Sequence, residues 1–387
     1  MRVAIIGGNL QGVEAAYLSR KAGWETLLLD KRPVPPAKGL CDCFVQHTVS
    51  PENLPNKLLK GVDVVLPAFE DLEALTVLVE WGHATGIPVA FNLDAYAIST
   101  SKRRSDRLFK RMGFNVPAPW PECDFPVIVK PDNASGSHGV HILADGDALT
   151  ELMTASKGGD SWVIQEFVPG PSFSIEVIGG NGHYTAFQVT DLFMDAVFDC
   201  KRVMAPTTLP AEAVQEFERL SLAIAGELNL TGIMDVEVIH NDNKLKVLEI
   251  DARLPSQTPT AVYWSTGVNL VEQLGKSAIG GNHTPVFPSC GAPRFVVYEH
   301  IQVGPGIIEV AGEHIMSQVG SLQLQKDFWG ADEALTNYKA GQDSWVATLI
   351  YSGMDPKTVM EKRHQTMRSI CKKFRIEHVV DSKPDED

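Results

Sequence analysis

The sequence predicts a mixed α/β and α+β protein, with a doubly wound parallel sheet at the N-terminus and α+β units after it. Three observations carry this. Apolar strand runs alternate with helically spaced segments over residues 1–96. Strand–loop–strand pairs then dominate residues 97–283, and short strands punctuated by Pro and Gly, with one late helix, fill 284–387. These spans are the expected domains, and 387 residues suffice for two or three cores.

RVAIIGG reads as a buried strand, and LQGVEAAYLSRKAG as a helix from the spacing of Leu10, Val13, Ala16 and Tyr17. ETLLLD and VDVVLPA are further apolar strands, DLEALTVLVEWGHATG is a helix, and IPVAFN closes the unit as a strand. AYAISTSKRRSDRLFKRMGF then reads as one basic amphipathic helix. FPVIVKPDNASGSHGVHIL is strand, glycine-rich loop, strand, and SWVIQEFVPGPSFSIEVIG is two strands about Pro169-Gly170. EAVQEFERLSLAIAGELNL is helical, and MDVEVIHNDNKLKVLEIDAR is a hairpin turning at Asn241-Asp242-Asn243. MDPKTVMEKRHQTMRSICKKF is the late helix, and KPDED an acidic tail expected to fray.

Composition narrows the function. A formal charge of −14 argues against a nucleic-acid backbone as partner, because counterion release needs clustered Lys and Arg. No apolar run reaches the roughly 18 residues of a membrane span. The N-terminal apolar run passes at once into Gly-Gly and Gln-Gly, so it reads as strand and turn, and a cytoplasmic protein is expected.

The hairpin holds the densest chemistry. Alternation puts Asp235 and Glu237 on one face of its first strand, and Glu249, Asp251 and Arg253 on one face of its second. Adjacent carboxylates repel unless a cation lies between them, and hard oxygen ligands suit Mg²⁺ completed by substrate phosphates. A solvated polar face is the alternative. The loop DNASGSHGV, with Ser135, Gly136, Ser137 and Gly139, can fold its amides over phosphates beside Lys130, although it lacks the G-K-[ST] of a Walker A loop. QEFVPG offers Gln165, Glu166, Phe167 and Val168 as an edge for adenine and ribose, and Lys102 a second cation.

In that order, Lys102, IVKP with its small-residue loop, QEFVPG and the pair MDVE…LEIDAR resemble the ATP-grasp ligases. IIGGNLQGVEAAYLSRKAGWETLLLDK, GIMDVEVI and EIDARLPSQTPTAVYWSTGVNLVE are similar, within them, to the 3-methylornithine–L-lysine ligases of pyrrolysine biosynthesis. The resemblance implies an ATP-grasp fold and an ATP-dependent amide ligase acting through an acyl phosphate. Its substrates would be L-lysine and 3-methyl-D-ornithine, and a homodimer is compatible with it. It implies ATP held by Lys102, Lys130, the glycine-rich loop, Gln165 to Val168 and Glu176, and two magnesium ions on Glu237, Glu249 and Asp251. Arg253 and Lys130 would be the catalytic cations. Leu10, Gln11, Gly12 and Glu70 would receive lysine. Asp195, Asp199, Asp235, Arg253, Ser256 and Thr258 would receive the second substrate, although Asp195 and Asp199 read equally as turn formers. Another ATP-grasp carboxylate–amine ligase is the nearest alternative. A nicotinamide enzyme, suggested by IIGGNLQG and Asp30, lacks G-x-G-x-x-G spacing, with glycines at 7, 8 and 12.

Overall fold

The computed structural model describes residues 1–133, 136–137, 139–155, 161–280 and 292–384. The first unit runs β1 (Arg2–Ile6), α1 (Leu10–Lys21), β2 (Glu25–Asp30), β3 (Cys43–Gln46), β4 (Val64–Pro67) and α2 (Leu72–Thr85). Its sheet has the order β3-β2-β1-β4 and is parallel throughout. The expected strand IPVAFN is reduced to one parallel bridge, Val65 to Val89. Pro88 has no amide hydrogen with which to extend the ladder.

The basic segment forms two helices where one was expected, α3 (Leu93–Ser99) and α4 (Lys102–Arg111). Ser101 breaks them: its backbone is extended, and its side chain accepts from the Arg104 amide as the N-cap of α4. The break places Lys102 at the first turn of α4 rather than mid-helix.

The next elements are β5 (Val127–Pro131), β6 (His141–Leu143), α5 (Gly146–Ala155) and β7 (Trp162–Glu166). They give a small antiparallel sheet, β6-β5-β7. Then come β8 (Ser172–Gly180), β9 (His183–Ala186), β10 (Thr190–Met194), β11 (Cys200–Ala205), α6 (Ala211–Glu227), β12 (Gly232–Asn241), β13 (Lys244–Asp251), α7 (Thr258–Thr266) and α8 (Leu270–Ala278). The last stretch holds β14 (Phe295–Gly304), β15 (Ile307–Val310), α9 (His314–Ser317), β16 (Gln323–Phe328), β17 (Ala331–Thr336), β18 (Trp345–Gly353), α10 (Pro356–Phe374) and β19 (His378–Val380).

One twelve-stranded sheet follows the path β13-β12-β8-β10-β11-β14-β18-β17-β16, with β9, β15 and β19 attached to its side. The expected boundary at 283/284 lies outside the described residues, and β11 pairs directly with β14 across it. The C-terminal strands thus extend the same sheet. On one side of it α6 buries Phe217, Leu220 and Ile224 against Val236, Val238 and Val247. Each such side chain contributes roughly 1.5–3 kcal/mol. A second core joins all three segments, with Val13 and Tyr17 of α1 meeting Leu254, Val262, Leu322 and Ile350. That core fixes the N-terminal sheet over one end of β13. No described helix is long and apolar enough to cross a membrane.

Candidate active site

The acidic hairpin forms as its sequence directs, with one addition. Asp242 and Asn243 both take positive φ, 49° and 58°, the geometry of a tight two-residue turn. Regular pairing from Asn241↔Lys244 would set Glu237 opposite Leu248 and turn Glu249 to the far face. The register instead shifts between Glu237 and Val238, so that Val238 faces Val247 and Glu237 faces Glu249. This β-bulge at Leu248 switches the phase of the strand: Leu245 and Val247 are buried before it, Ile250 after it.

The neighbouring strand completes a grid. Asp235 stands opposite both Glu176 on β8 and Asp251 on β13, while Glu237 stands opposite Ser174 and Glu249. Directly paired residues share a face, so five carboxylates and one hydroxyl point the same way.

Crowding and burial decide their charge. Burial, then Glu249 and Asp251, pushes Glu237 up to about 8. Burial lifts Asp251 to about 7 even though Arg253 opposes it. Asp235 is raised well above the carboxylate range by burial and by Asp251. Glu176, wholly buried on β8, rises to about 7, and burial is the main cause.

Cations face the grid from α4, β5 and the segment after β13. Lys102 Nζ lies 3.3 Å from Glu249 Oε1. Lys130 on β5 is buried, which lowers its pKa, with Glu249 and Asp106 acting the other way. Asp106 of α4 is a residue the sequence reading missed. Burial raises its pKa while Lys130 opposes. Arg253 bridges the units: its Nη2 donates to Asp251 Oδ2 at 2.9 Å, and its Nε lies 2.9 Å from Glu70 Oε1. The same Glu70 oxygen accepts from Gln11 Nε2 at 2.8 Å. Gln11 and Glu70 follow β1 and β4, at the carboxyl edge of the parallel sheet, where ligands of such sheets bind. Gly12 lets α1 approach so closely that a Cβ there would lie 2.2 Å from the Gly7 carbonyl oxygen. Leu10, half-buried, opens the same helix.

Ser135 lies outside the described residues. Gly136, at φ +59°, rests on the His314 ring, and a Cβ would come 2.6 Å from its Cε1. The Ser137 hydroxyl donates to the Phe198 carbonyl, and Gly139 packs beside Pro131. In the connecting segment Gln165 and Val168 are buried, and Phe167 donates its amide to the Pro126 carbonyl. Both Glu166 oxygens lie 2.7 Å from Lys246 Nζ, and burial is outweighed there, so that its pKa falls.

Asp195 and Asp199 are buried and already engaged. Asp195 accepts from the amides of Val197, Asp199 and Gly312, and Asp199 from the His314 amide, with His314 Nδ1 at 2.7 Å. Near them, Glu313 is buried, which raises its pKa, with Ser256 opposing. Gln257 takes φ 71°, and Thr258 starts α7 in a buried position. Glu14 of α1 accepts from the Thr260 amide at 2.6 Å, and burial pushes it up to about 8. An acid inside the apolar run GVEAAYL was the available signal for Glu14; nothing in AGEH singles out Glu313. Asp30 accepts from the Gly8 amide at 2.6 Å and from the Arg32 amide at 2.7 Å, which ties the end of β2 to the turn after β1.

A model of the ATP-grasp domain matches residues 99–257. The chain is 35% identical to a 3-methyl-D-ornithine–L-lysine ligase of Methanosarcina mazei over 96% of both chains. It belongs to that ligase family. With the Methanosarcina barkeri ligase it shares 37% identity over 81% of this chain and 84% of that one. The ligase is therefore an ATP-grasp enzyme that forms a carbon–nitrogen bond at the expense of ATP, and the family uses Mg²⁺ with it. Two solved structures share the fold. One is the biotin carboxylase domain of 2-oxoglutarate carboxylase from Hydrogenobacter thermophilus, with MgADP: TM-score 0.72, 14% identity, 95% of this chain and 89% of that one. The other is an ADP complex of N5-carboxyaminoimidazole ribonucleotide synthetase: TM-score 0.71, 17% identity, 95% of this chain and 96% of that one.

The acidic grid fits a magnesium–nucleotide. Both Glu176 oxygens and Asp235 Oδ1 are buried without a hydrogen-bond partner, and the donors are all hard oxygens. Among the described residues no three acidic, His or Cys groups already stand together as a metal cluster. Such a set suits an ion whose coordination phosphate oxygens complete.

Proposed function

We propose that the ligase activates the carboxylate of 3-methyl-D-ornithine with ATP and passes the acyl group to the N6 amine of L-lysine. The products are 3-methylornithinyl-N6-lysine, ADP and phosphate. The observation that carries this is the Gln11–Glu70–Arg253–Asp251 chain of contacts. It joins a carboxylate at the ligand edge of the N-terminal sheet to the arginine beside the phosphate-binding acids.

Glu237, Glu249 and Asp251 would hold two magnesium ions, whose charge offsets that of the phosphate oxygens. Lys102 at the start of α4 and Lys130 on β5 hold the nucleotide phosphates, with Gly136, Ser137 and Gly139 beside them. Ser135 belongs to the same loop. Gln165, Glu166, Phe167, Val168 and Glu176 form the nucleoside side. Arg253 presents a planar fork to the carboxylate as its oxygen attacks the γ-phosphate, which expels ADP, and then to the acyl phosphate. The lysine ammonium is received by Glu70 with Leu10, Gln11 and Gly12, and must lose a proton before its nitrogen attacks the acyl carbon. Attack forms the amide bond and expels phosphate. Asp235, Ser256 and Thr258 line the acyl-donor side, with Asp195 and Asp199 behind them. The reaction is assigned to the cytoplasm, where ATP is at hand, and a homodimer agrees with the dimeric Hydrogenobacter relative.

The test uses 3-methyl-D-ornithine labelled with ¹⁸O in its carboxylate, L-lysine, ATP and Mg²⁺. Mass spectrometry should show the dipeptide-like product and one ¹⁸O in the phosphate released. Phosphate without label excludes the acyl phosphate, and ADP formation without the product excludes the substrate pair.

A further inference from the structure

The last residues of the KPDED tail, 385–387, lie outside the described residues, but the chain just ahead of that tail is held in place. After β19 it turns inward, and Asp381 enters a cluster of Lys201, Arg202, Arg363 and Glu299. Lys201 Nζ lies 2.7 Å from Asp381 Oδ1 and donates to the Ser382 carbonyl. Arg202 Nη2 lies 2.7 Å and Arg363 Nη2 3.2 Å from Asp381 Oδ2, and both arginines also hold the fully buried Glu299. Without Asp381, the three cations would face one carboxylate. Lys201 itself is only 1% exposed, and a buried ammonium without a counter-charge is costly.

Two features tie this cluster to the acyl-donor side. The first is a second β-bulge. Phe193 pairs with Arg202 but Met194 with Cys200, which leaves Lys201 as the extra residue. Consecutive Lys201 and Arg202 therefore both reach Asp381. The second is adjacency. The Cys200 carbonyl accepts from Gln257 Nε2 at 3.3 Å and from the Glu313 amide at 3.2 Å. Asp199, one residue earlier, closes the 195–199 turn and holds His314.

We propose that Asp381 is a positioning residue: by pairing with Lys201 it holds the start of β11, and with it the Asp195–Asp199 turn, against residues 312–314. Asp381 is then a built-in counter-ion of the acyl-donor wall. Its effect on acyl-donor use rests on the function proposed above, but its effect on the turn does not.

Hydrogen–deuterium exchange on the full chain tests it without substrate. In Asp381→Asn the amides of Phe198, Asp199, Gly312 and His314 should exchange about tenfold faster, while those of β12 and β13 stay unchanged. Asp381→Glu should restore slow exchange. In turnover assays the acyl-donor KM of Asp381→Asn should rise about tenfold or more, and the ATP KM should not. Should Asp381→Asn fail to fold, Lys201→Met/Asp381→Asn removes the orphaned charge, and the same local exchange is expected from it. Unchanged exchange at 198–199 and 312–314 in a folded variant overturns the proposal. So does an equal acceleration over β12 and β13, which marks a general loss of stability. A failure of wild-type turnover would count against the function proposed above and leave the exchange result decisive here.

Discussion

Glu249→Gln tests the paired-carboxylate site most directly. Glu249 stands opposite Glu237, and side chains in such a pair approach to roughly 5 Å. With both ionised, their repulsion would be about 3 kcal/mol at an effective dielectric constant of about 20. The folded chain avoids most of this by keeping Glu237, at about 8, protonated. Ionising it at pH 7 costs about 1.4 kcal/mol, one pH unit of work. Removing the charge of residue 249 lowers that cost only by the share Glu249 adds to burial. It also takes a partner from Lys102, whose part-buried pairing with Glu249 acts the other way. The two effects oppose each other, so the melting temperature should change little. Activity should not, because the metal loses a charged ligand, and ADP formation should fall about 10–100-fold or more. The assays are calorimetric unfolding and coupled ADP release at ordinary magnesium. Parental turnover would refute the metal assignment, and a loss of several kcal/mol in stability would show that Glu249 is structural instead.

Lys130→Ala should raise the ATP requirement about 10–150-fold, the worth of a charge-assisted phosphate contact, and leave the lysine requirement alone; an equal rise in both would indicate general disruption. Glu70→Ala should weaken lysine use about 5–30-fold, since Glu70 is one-third exposed and its pairing is partly screened; ATP binding by calorimetry should not change, and an unaltered lysine titration removes Glu70 from the site. The pH dependence of magnesium–ATP binding follows from Glu237, held at about 8 against an ordinary 4.5. Binding needs its ionised form, so affinity should rise up to about tenfold per pH unit and level off above about 8. The unliganded fold moves oppositely: the stability from this group is fully present below 4.5 and is lost as pH rises through about 8. Calorimetry in two buffers of different ionisation enthalpy should find proton release on binding near pH 7, and none would contradict it.

The local patterns were legible because they depend on neighbours in sequence. Strand runs, the helix spacing of α1 and α6, the Asn-rich turn and the acids of the hairpin all lay within windows of about twenty residues. The order of the nucleotide motifs, matched to a known family, carried the function with them. Other features were decided by residues far apart in the chain. The bulge at Leu248 sets Glu249 opposite Glu237, where the turn alone would have set it opposite Leu248. The sheet runs on through β11 and β14. Sequence alone paired Glu70 with a ligand amine. In the folded chain it already meets Arg253, 183 positions away, and Gln11. Asp381, just ahead of the expected acidic tail, had no partner assigned from sequence, and in the fold it neutralises Lys201. A charged side chain carries no mark of its partner in its own sequence neighbourhood. Burial makes an ionised group costly unless an opposite charge or a ligand meets it, and only the packed tertiary structure determines which of these lies within reach.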